Sequence, residues 1–273
     1  MIHVFGDSIS YGHELKDCPH RLIMDGTIEN PSNLAWPALI GARNWSSPGC
    51  SNEMILRNLT NFIHHSETSE IDLMLVQWSF PERFDVPILG ESRITSTGHW
   101  IQGKKERQSI LSWLKDIGEY PAPTNKQESD YIQCLESYYK SVYTSEFGLL
   151  KLLEYITYVQ NILSNHNIEY YMFLPTYKVL LTDDDVHVFD RKRYEPIDIE
   201  NKKETISLGY SINNDIVDFR GCIDWDRFIC YNNDNPFYSI LDRARETSDI
   251  GPEGHPLEDT HKEFANELRR RIF

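Results

Sequence analysis

The sequence is poor in the features that assign a chain to a disulfide-bonded, metal-bound or membrane-spanning class. It holds five cysteines, an odd number, and none of them forms a CxxC pair. This usage argues against a disulfide framework and against a structural zinc site, so we expect no bound metal. No apolar run reaches the length of a membrane span, and no charged segment followed by an apolar one precedes the first strand. We therefore expect a cytoplasmic or otherwise leaderless protein.

Positive charge is also scarce. Lysine and arginine number 27 against 42 aspartates and glutamates, which gives a formal net charge of −15. A surface of this sign repels nucleic acids and anionic membranes, so we expect neither as a partner. The remaining composition, 40% hydrophobic and 25% charged, is ordinary for a globular domain.

Strand-like and helix-like segments alternate along the chain. Short apolar runs that are typical of buried strands lie at 1–5, 72–78 and 168–174, with a shorter candidate at 216–219. Helical periodicity or capping signals lie at 33–41, 51–65, 129–165 with a break near Gly148, 236–246 and 257–272. This alternation predicts an α/β fold in which helices cover both faces of a parallel sheet.

The segment from about 80 to 126 interrupts this pattern with proline, glycine and scattered aromatic residues. We interpret it as an insertion on the sheet, within a single domain that spans 1–273. The aromatic residues Trp100 and Trp113 could form a platform for a sugar ring, although aromatics at helical spacing more often belong to a core.

Two short motifs lie at opposite ends of the chain. Gly6-Asp7-Ser8 follows the first strand, and His255-Pro256 precedes the last helix. The loops at the carboxyl ends of parallel strands meet at one edge of a sheet, so Ser8 and His255 can come together there. A histidine within hydrogen-bond reach of a serine hydroxyl can take its proton.

The motifs together resemble those of the SGNH hydrolases, the GDSL-type esterases and lipases. Gly6-Asp7-Ser8 matches the first block of that family, and the segment 44–52, with Pro48-Gly49-Cys50, is similar to the second. The segment 255–261 matches the last block. The resemblance implies a three-layer α/β/α sandwich with a flavodoxin-like parallel sheet and a helical insertion after the third strand. It implies that Ser8 is the nucleophile, that His255 is the base and that Ser8 and Gly49 donate backbone N–H groups to an oxyanion hole.

The family's third block places an asparagine after the next strand, and this sequence has none there. Ser79 is the nearest polar replacement and is our candidate third oxyanion donor, with Gln77 and Arg83 as alternatives. Asn52 and Arg83 are candidate substrate contacts, although Asn52 could equally hold the turn that begins the next helix.

The family's acid is an aspartate three residues before the histidine, where this sequence has Pro252. Glu253, two residues before His255, is our candidate for the group that orients it. Asp249 and a backbone carbonyl are the alternatives, since the role requires only an acceptor for the imidazole N–H.

These residues imply acyl transfer through an acyl-serine, without a cofactor. We expect a serine esterase that removes a small acyl group, most simply acetyl, from a small-molecule or carbohydrate ester. A lipase or thioesterase on the same fold is one alternative. A non-catalytic protein that uses the crevice for binding, or serves as a structural part of a virion, is another, and a phage-encoded protein would fit the block pattern.

Overall fold

The computed structural model describes most of the chain at both ends and part of its middle. The described residues are 1–20, 22, 30–87, 94–97, 133–134, 137–138, 141–176, 221–229 and 238–273.

A four-stranded parallel sheet forms the centre of the described fold. Its strands are β1 (Ile2–Phe5), β2 (Arg43–Asn44), β3 (Leu73–Gln77) and β6 (Tyr170–Phe173), in the order β2-β1-β3-β6. In the register, Val4 of β1 lies beside Leu75 of β3. Every residue of β3 is buried, as its near-continuous apolar sequence predicts for a strand covered on both faces.

One face of the sheet is covered by α3 (Asn52–His65) and α4 (Ser145–Asn165). Each helix begins at a hydroxyl side chain that caps it, since Ser51 accepts from the Met54 N–H and Thr144 accepts from the Phe147 N–H. Their buried stripes recur at helical spacing and pack into one core. These residues are Ile55, Leu59, Ile63, Leu149, Leu152, Leu153, Ile156, Val159 and Leu163.

The other face is covered by α2 (Trp36–Leu39), α5 (Ile240–Thr247) and α6 (Glu258–Ile272). Trp36 of α2 is fully buried, and its ring lies 5.5 Å from that of Phe264 in α6, edge to face. Acidic residues lie in the first turn of α6 and arginines in its last, as the helix dipole favours. Helices on both faces of a parallel sheet confirm the predicted α/β/α layering.

The boundaries of some elements differ from the sequence prediction. In the predicted helical stretch 129–165, the described residues 133–134, 137–138 and 141 are helical, and a second helix begins at Ser145, where Thr144 caps it. The break therefore lies at 142–144, a few residues before Gly148. The strand β2 was not predicted. The candidate strand 216–219 lies outside the described residues.

The predicted insertion is described only in part. Its described residues hold β4 (Phe84–Pro87) and β5 (Ile94–Thr97), an antiparallel pair rather than a helix. The remaining part of 80–126, with Trp100 and Trp113, lies outside the described residues. A short α1 (Ser8–Tyr11) follows β1 directly. No helix within the described segments is long and apolar enough to cross a bilayer.

Candidate active site

Ser8 lies at the carboxyl edge of the sheet, three residues after the end of β1. Asp7 caps α1 by accepting a 3.0 Å hydrogen bond from the Ile9 N–H, which makes Ser8 the first residue of that helix. The turn from strand to helix therefore holds the Ser8 hydroxyl at the edge where the loops of a parallel sheet meet. Ser8 is only 3% exposed.

His255 lies in the connection between α5 and α6, which folds back on itself as a short antiparallel bridge. Gly251 N donates to His255 O over 2.8 Å, and Leu257 N donates to Asp249 O over 3.0 Å. The Asp249 carboxylate accepts from the Thr260 N–H in the first turn of α6 at 2.6 Å. Asp249 thus secures the start of this helix and does not contact the His255 ring through any bond in the described structure.

The structure brings Ser8, His255 and Glu14 into one chain of hydrogen bonds. His255 Nε2 lies 2.9 Å from Ser8 Oγ, and His255 Nδ1 lies 3.0 Å from Glu14 Oε2. The side chain of His255 is 16% exposed and that of Glu14 is 5% exposed. This serine–histidine–carboxylate order is the arrangement that activates a serine nucleophile.

The Glu14 carboxylate is held by the loop that carries His255. Oε1 accepts from the Glu253 N–H at 2.9 Å, and Oε2 accepts from the His255 N–H at 3.1 Å as well as from the ring. Burial alone would raise the pKa of Glu14, but the hydrogen bonds from the His255 ring and from these two amides lower it to about 2. An ionised carboxylate can only accept, so the proton of neutral His255 lies on Nδ1 and Nε2 accepts the Ser8 proton.

Glu14 therefore holds the position that the sequence analysis gave to Glu253. Glu253 is exposed and reaches this site through its backbone N–H, which donates to Glu14. The carboxylate comes close because Gly251 has no side chain, since a Cβ there would lie 2.6 Å from the Glu14 carboxyl atoms. Glu14 lies in the loop after α1, 241 residues before the histidine along the chain. That loop lies at the same sheet edge, which is the signal that could have identified Glu14.

The loop from Gly12 to Cys18 has an unusual backbone that presents Glu14. Glu14 has a φ of 74°, in the left-handed region that side chains other than glycine rarely adopt. Its N–H donates to Cys18 O over 3.0 Å, and the Lys16 N–H donates to the Glu258 carboxylate of α6 over 3.0 Å. Strain of this kind persists where the surroundings hold it, and it is concentrated at functional sites.

Ser8 and Gly49 carry the two backbone amides that the sequence predicts as oxyanion donors. Ser8 N is at the start of α1, and Gly49 lies in the 44–50 loop with a φ of 71° and open space beside its Cα. That loop is fastened next to Ser8, since Ser47 N donates to Gly6 O at 3.1 Å and Ser10 Oγ lies 2.8 Å from Ser46 Oγ. The described structure shows no hydrogen bond from either amide, Ser8 N or Gly49 N.

The side chains predicted as a third oxyanion donor are instead gathered around the Asp7 carboxylate. Asp7 is fully buried and accepts from Gln77 Nε2 at 2.8 Å, from Ser79 Oγ at 2.9 Å and from Arg83 Nη1 at 3.1 Å. Ser79 is 0% exposed, and its hydroxyl also accepts from Arg83 at 2.8 Å. These contacts differ from the expected role of Ser79, because its hydroxyl proton is directed at Asp7. They stiffen the turn beneath Ser8.

Asn52, the other candidate substrate contact, is buried at 2% exposure. Its Oδ1 accepts from the Ser79 N–H at 2.7 Å, and its Nδ2 donates to the carbonyls of Ser79 and Phe80. It therefore connects the start of α3 to the segment after β3, and both the oxygen and the nitrogen of its side-chain amide bond to backbone atoms. Arg83 is likewise directed inward, at Asp7 and at Cys50 O. Burial raises the pKa of the Cys50 thiol, which makes Cys50 a poor nucleophile.

His261 belongs to the support of the site. It is fully buried in the first turns of α6, and its Nδ1 accepts from the Trp36 N–H at 3.1 Å. Burial and the nearby His255 lower the pKa of His261 to about 3, so its ring is neutral. It fixes α2 against α6, behind the loop that carries His255. Nowhere in the described ranges do three or more histidine, cysteine, aspartate or glutamate residues form a group able to hold a metal ion.

Comparison with solved structures finds several similar chains, among them two lipolytic proteins that align over nearly the whole chain. A lipase from a goat rumen metagenome is 12% identical, with a TM-score of 0.40, and the match covers 98% of this chain and 95% of that one. A member of the lipolytic G-D-S-L family from Veillonella parvula is 12% identical, with a TM-score of 0.26 and coverage of 99% and 97%. Since both TM-scores are below 0.5, the fold assignment rests on the sheet itself. No protein-family model and no curated protein matches the chain.

Proposed function

We propose that the protein is a serine esterase of the SGNH type, which transfers an acyl group to Ser8 and then to water. The observation that carries this proposal is the pair of bonds made by His255, to Ser8 at 2.9 Å and to Glu14 at 3.0 Å. A protein that only bound a ligand in this crevice would have no need of a serine, a histidine and a buried carboxylate in this order.

In the first half of the reaction, Ser8 Oγ attacks the ester carbonyl while His255 Nε2 takes the hydroxyl proton. The charge on the carbonyl oxygen is stabilised by the N–H groups of Ser8 and Gly49, since an oxyanion hole built of backbone donors contributes several kcal/mol. Glu14 holds the ring in the required tautomer and stabilises the imidazolium. His255 then protonates the leaving alkoxide, and the acyl group remains on Ser8 as an ester.

In the second half, a water molecule takes the position of the alcohol. His255 removes a proton from the water, the hydroxide adds to the acyl carbonyl, and the Ser8–acyl bond breaks. The proton returns to Ser8 Oγ, which restores the resting site and releases the carboxylic acid. No metal or redox group is needed to balance either half.

The substrate we propose is an ester of a small acyl group, most simply acetyl, on a neutral alcohol such as a carbohydrate. The low exposure of Ser8, 3%, favours a small acyl group over a long chain. The net charge of −15 disfavours an anionic substrate. A lipase or thioesterase activity would instead require a long apolar cleft.

The test compares hydrolysis of p-nitrophenyl acetate by the wild type and by Ser8→Ala. We expect clear turnover by the wild type and background rates from the variant, with the fold checked by circular dichroism. Ser10→Ala is the matched control, because Ser10 is a buried serine of the same helix that bonds to Ser46 and not to His255. Equal activity of Ser8→Ala and the wild type would contradict the proposal. Esters of increasing acyl length then test the acyl preference.

A further inference from the structure

A second histidine lies against the face of His255. The ring centroids of His13 and His255 are 4.4 Å apart, and their planes differ by 26°, so the two imidazoles are stacked. His13 is 7% exposed and follows Gly12 in the same loop as Glu14. The backbone N–H of His13 donates to the Ser8 carbonyl oxygen over 3.0 Å. None of the steps described above uses this ring.

His13 is itself held by a third histidine. His13 Nε2 lies 2.8 Å from His20 Nδ1, and the two ring planes differ by 3° with centroids 4.9 Å apart. Rings that are coplanar and joined through nitrogen atoms meet edge to edge, so His20 fixes the plane of His13. His20, which takes no part in the reaction, therefore sets the orientation of the His13 ring face over His255.

We propose that His13 is a positioning residue, whose uncharged ring face keeps the His255 imidazole in the plane that reaches both Ser8 and Glu14. This inference rests on the proposed function. His255 has hydrogen bonds at its two nitrogens but is free to tilt about the line that joins them, and the stacked ring of His13 opposes that tilt. A neutral aromatic face also tolerates the positive charge that His255 acquires when it takes the Ser8 proton.

Burial, together with most of the nearby charges, keeps the ring of His13 neutral. Burial lowers the pKa of His13 to about 3, and the nearby His255, His20 and Arg83 act in the same direction, while Glu14 opposes them. A charged ring at this distance from His255 would repel the imidazolium that the reaction forms. His13 is therefore uncharged across the pH range in which a histidine base works.

Two substitutions separate the ring face of His13 from its hydrogen bond. His13→Phe keeps an aromatic face over His255 but loses the bond to His20. His13→Gln keeps a group that can bond to His20 but loses the face. If His13 only packed the loop, the two variants would have similar activity, or His13→Gln would be the more active of the two.

We expect His13→Gln to lower kcat by about thirtyfold with KM changed by less than about twofold, since misplacement of a catalytic group by 1 Å can cost about a hundredfold. We expect phenylalanine to restore most of this loss, to within about threefold of the wild type. His64→Gln, at an exposed histidine of α3, is the matched control and leaves both constants unchanged.

A second readout does not depend on turnover. The His255 Nδ1–H proton, bonded to Glu14, gives a downfield NMR signal that is slow to exchange when the ring is held. We expect this signal in the wild type and His13→Phe and its loss by exchange in His13→Gln. Equal behaviour of the two His13 variants, or a greater loss with phenylalanine, would overturn the inference. If the wild type hydrolyses no ester, the proposed function fails, and this signal still tests the positioning.

Discussion

The carboxylate of Glu14 accepts three hydrogen bonds from residues 253 to 255, two from backbone amides and one from the His255 ring. A carboxylate with this many donors stays ionised when buried and cannot rotate without losing several of them at once. It can therefore impose one tautomer on His255. In the proposed mechanism, Glu14 is therefore the residue that orients the base.

Glu14→Gln and Glu253→Gln form a matched pair that tests the identity of the acid. We expect Glu14→Gln to lower kcat for ester hydrolysis by about a hundredfold or more, because an amide cannot stabilise the imidazolium and can impose the wrong tautomer. Glu253→Gln keeps the backbone N–H that reaches Glu14, so its kcat stays within about twofold of the wild type. Steady-state kinetics on p-nitrophenyl acetate measure both. A large loss of kcat in Glu253→Gln, with little loss in Glu14→Gln, would instead identify Glu253 as the acid.

At the scale of elements, two loops from opposite ends of the chain build the site. The loop after α1 carries His13 and Glu14, and the loop before α6 carries His255. They meet because β1 is central in the parallel sheet and α6 packs against the face beside it. The close approach of the loops depends on Gly251, where a Cβ would lie 2.6 Å from the Glu14 carboxyl atoms.

Gly251→Ala tests this close approach. The added methyl group would lie inside van der Waals distance of the Glu14 carboxylate, so the carboxylate has to move away from His255. We expect kcat to fall about tenfold or more, since a small displacement of an orienting group is costly. Gly221→Ala is the control, because a Cβ there meets no atom within 4 Å. If Gly251→Ala had the kcat of the wild type, the loops could separate without loss of activity, and the close approach would not be required.

The elements that could be predicted from the sequence are those whose signals are local. The apolar strands, the Ser51 cap of α3 and the amphipathic α6 each depend on neighbouring residues, and the structure confirms them. The two-residue strand β2 was not predicted, because it is formed by pairing with β1 rather than by its own composition.

The site shows the same division between local and long-range information. Ser8 and His255 lie in recognisable motifs, and the structure brings them to hydrogen-bond distance. The partner of His255 is 241 residues away in the chain, in a loop with a left-handed glutamate, and no local pattern marks such a contact. The hydrogen bonds of the Ser79 hydroxyl could not be predicted from local sequence either, because they depend on where the fold places Asp7 and Arg83.

At the scale of the whole molecule, the buried titratable groups make the fold sensitive to acid. Burial lowers the pKa of His13 and His261 from 6.5 to about 3, while the hydrogen bonds to Glu14 lower its pKa from 4.5 to about 2. Between pH 6.5 and 3 the unfolded chain binds protons that the two folded histidines do not. The stabilisation from Glu14 is present above pH 4.5 and is lost as the pH falls towards 2. All three effects lower the free energy of unfolding as the pH falls.

We therefore expect the free energy of unfolding, measured by urea titration, to decrease steadily from pH 7 to pH 4. Each neutral histidine contributes a slope of up to about 1.4 kcal/mol per pH unit. His13→Phe removes one such group, so its profile is shallower by up to that amount, whereas His64→Gln, at an exposed position, keeps the wild-type slope. Equal slopes in His13→Phe and the wild type would contradict the buried, neutral state of His13.

In the proposed mechanism, Ser8 carries the acyl group between the two halves of the reaction. The most direct measurement is mass spectrometry of the protein quenched in acid during turnover of p-nitrophenyl acetate, followed by fragmentation of the N-terminal peptide. We expect one acetyl group on Ser8, none on Ser10, and no acetylation of this peptide in His255→Gln. An acetyl group found on another residue, with Ser8 unmodified while the ester is being hydrolysed, would contradict it.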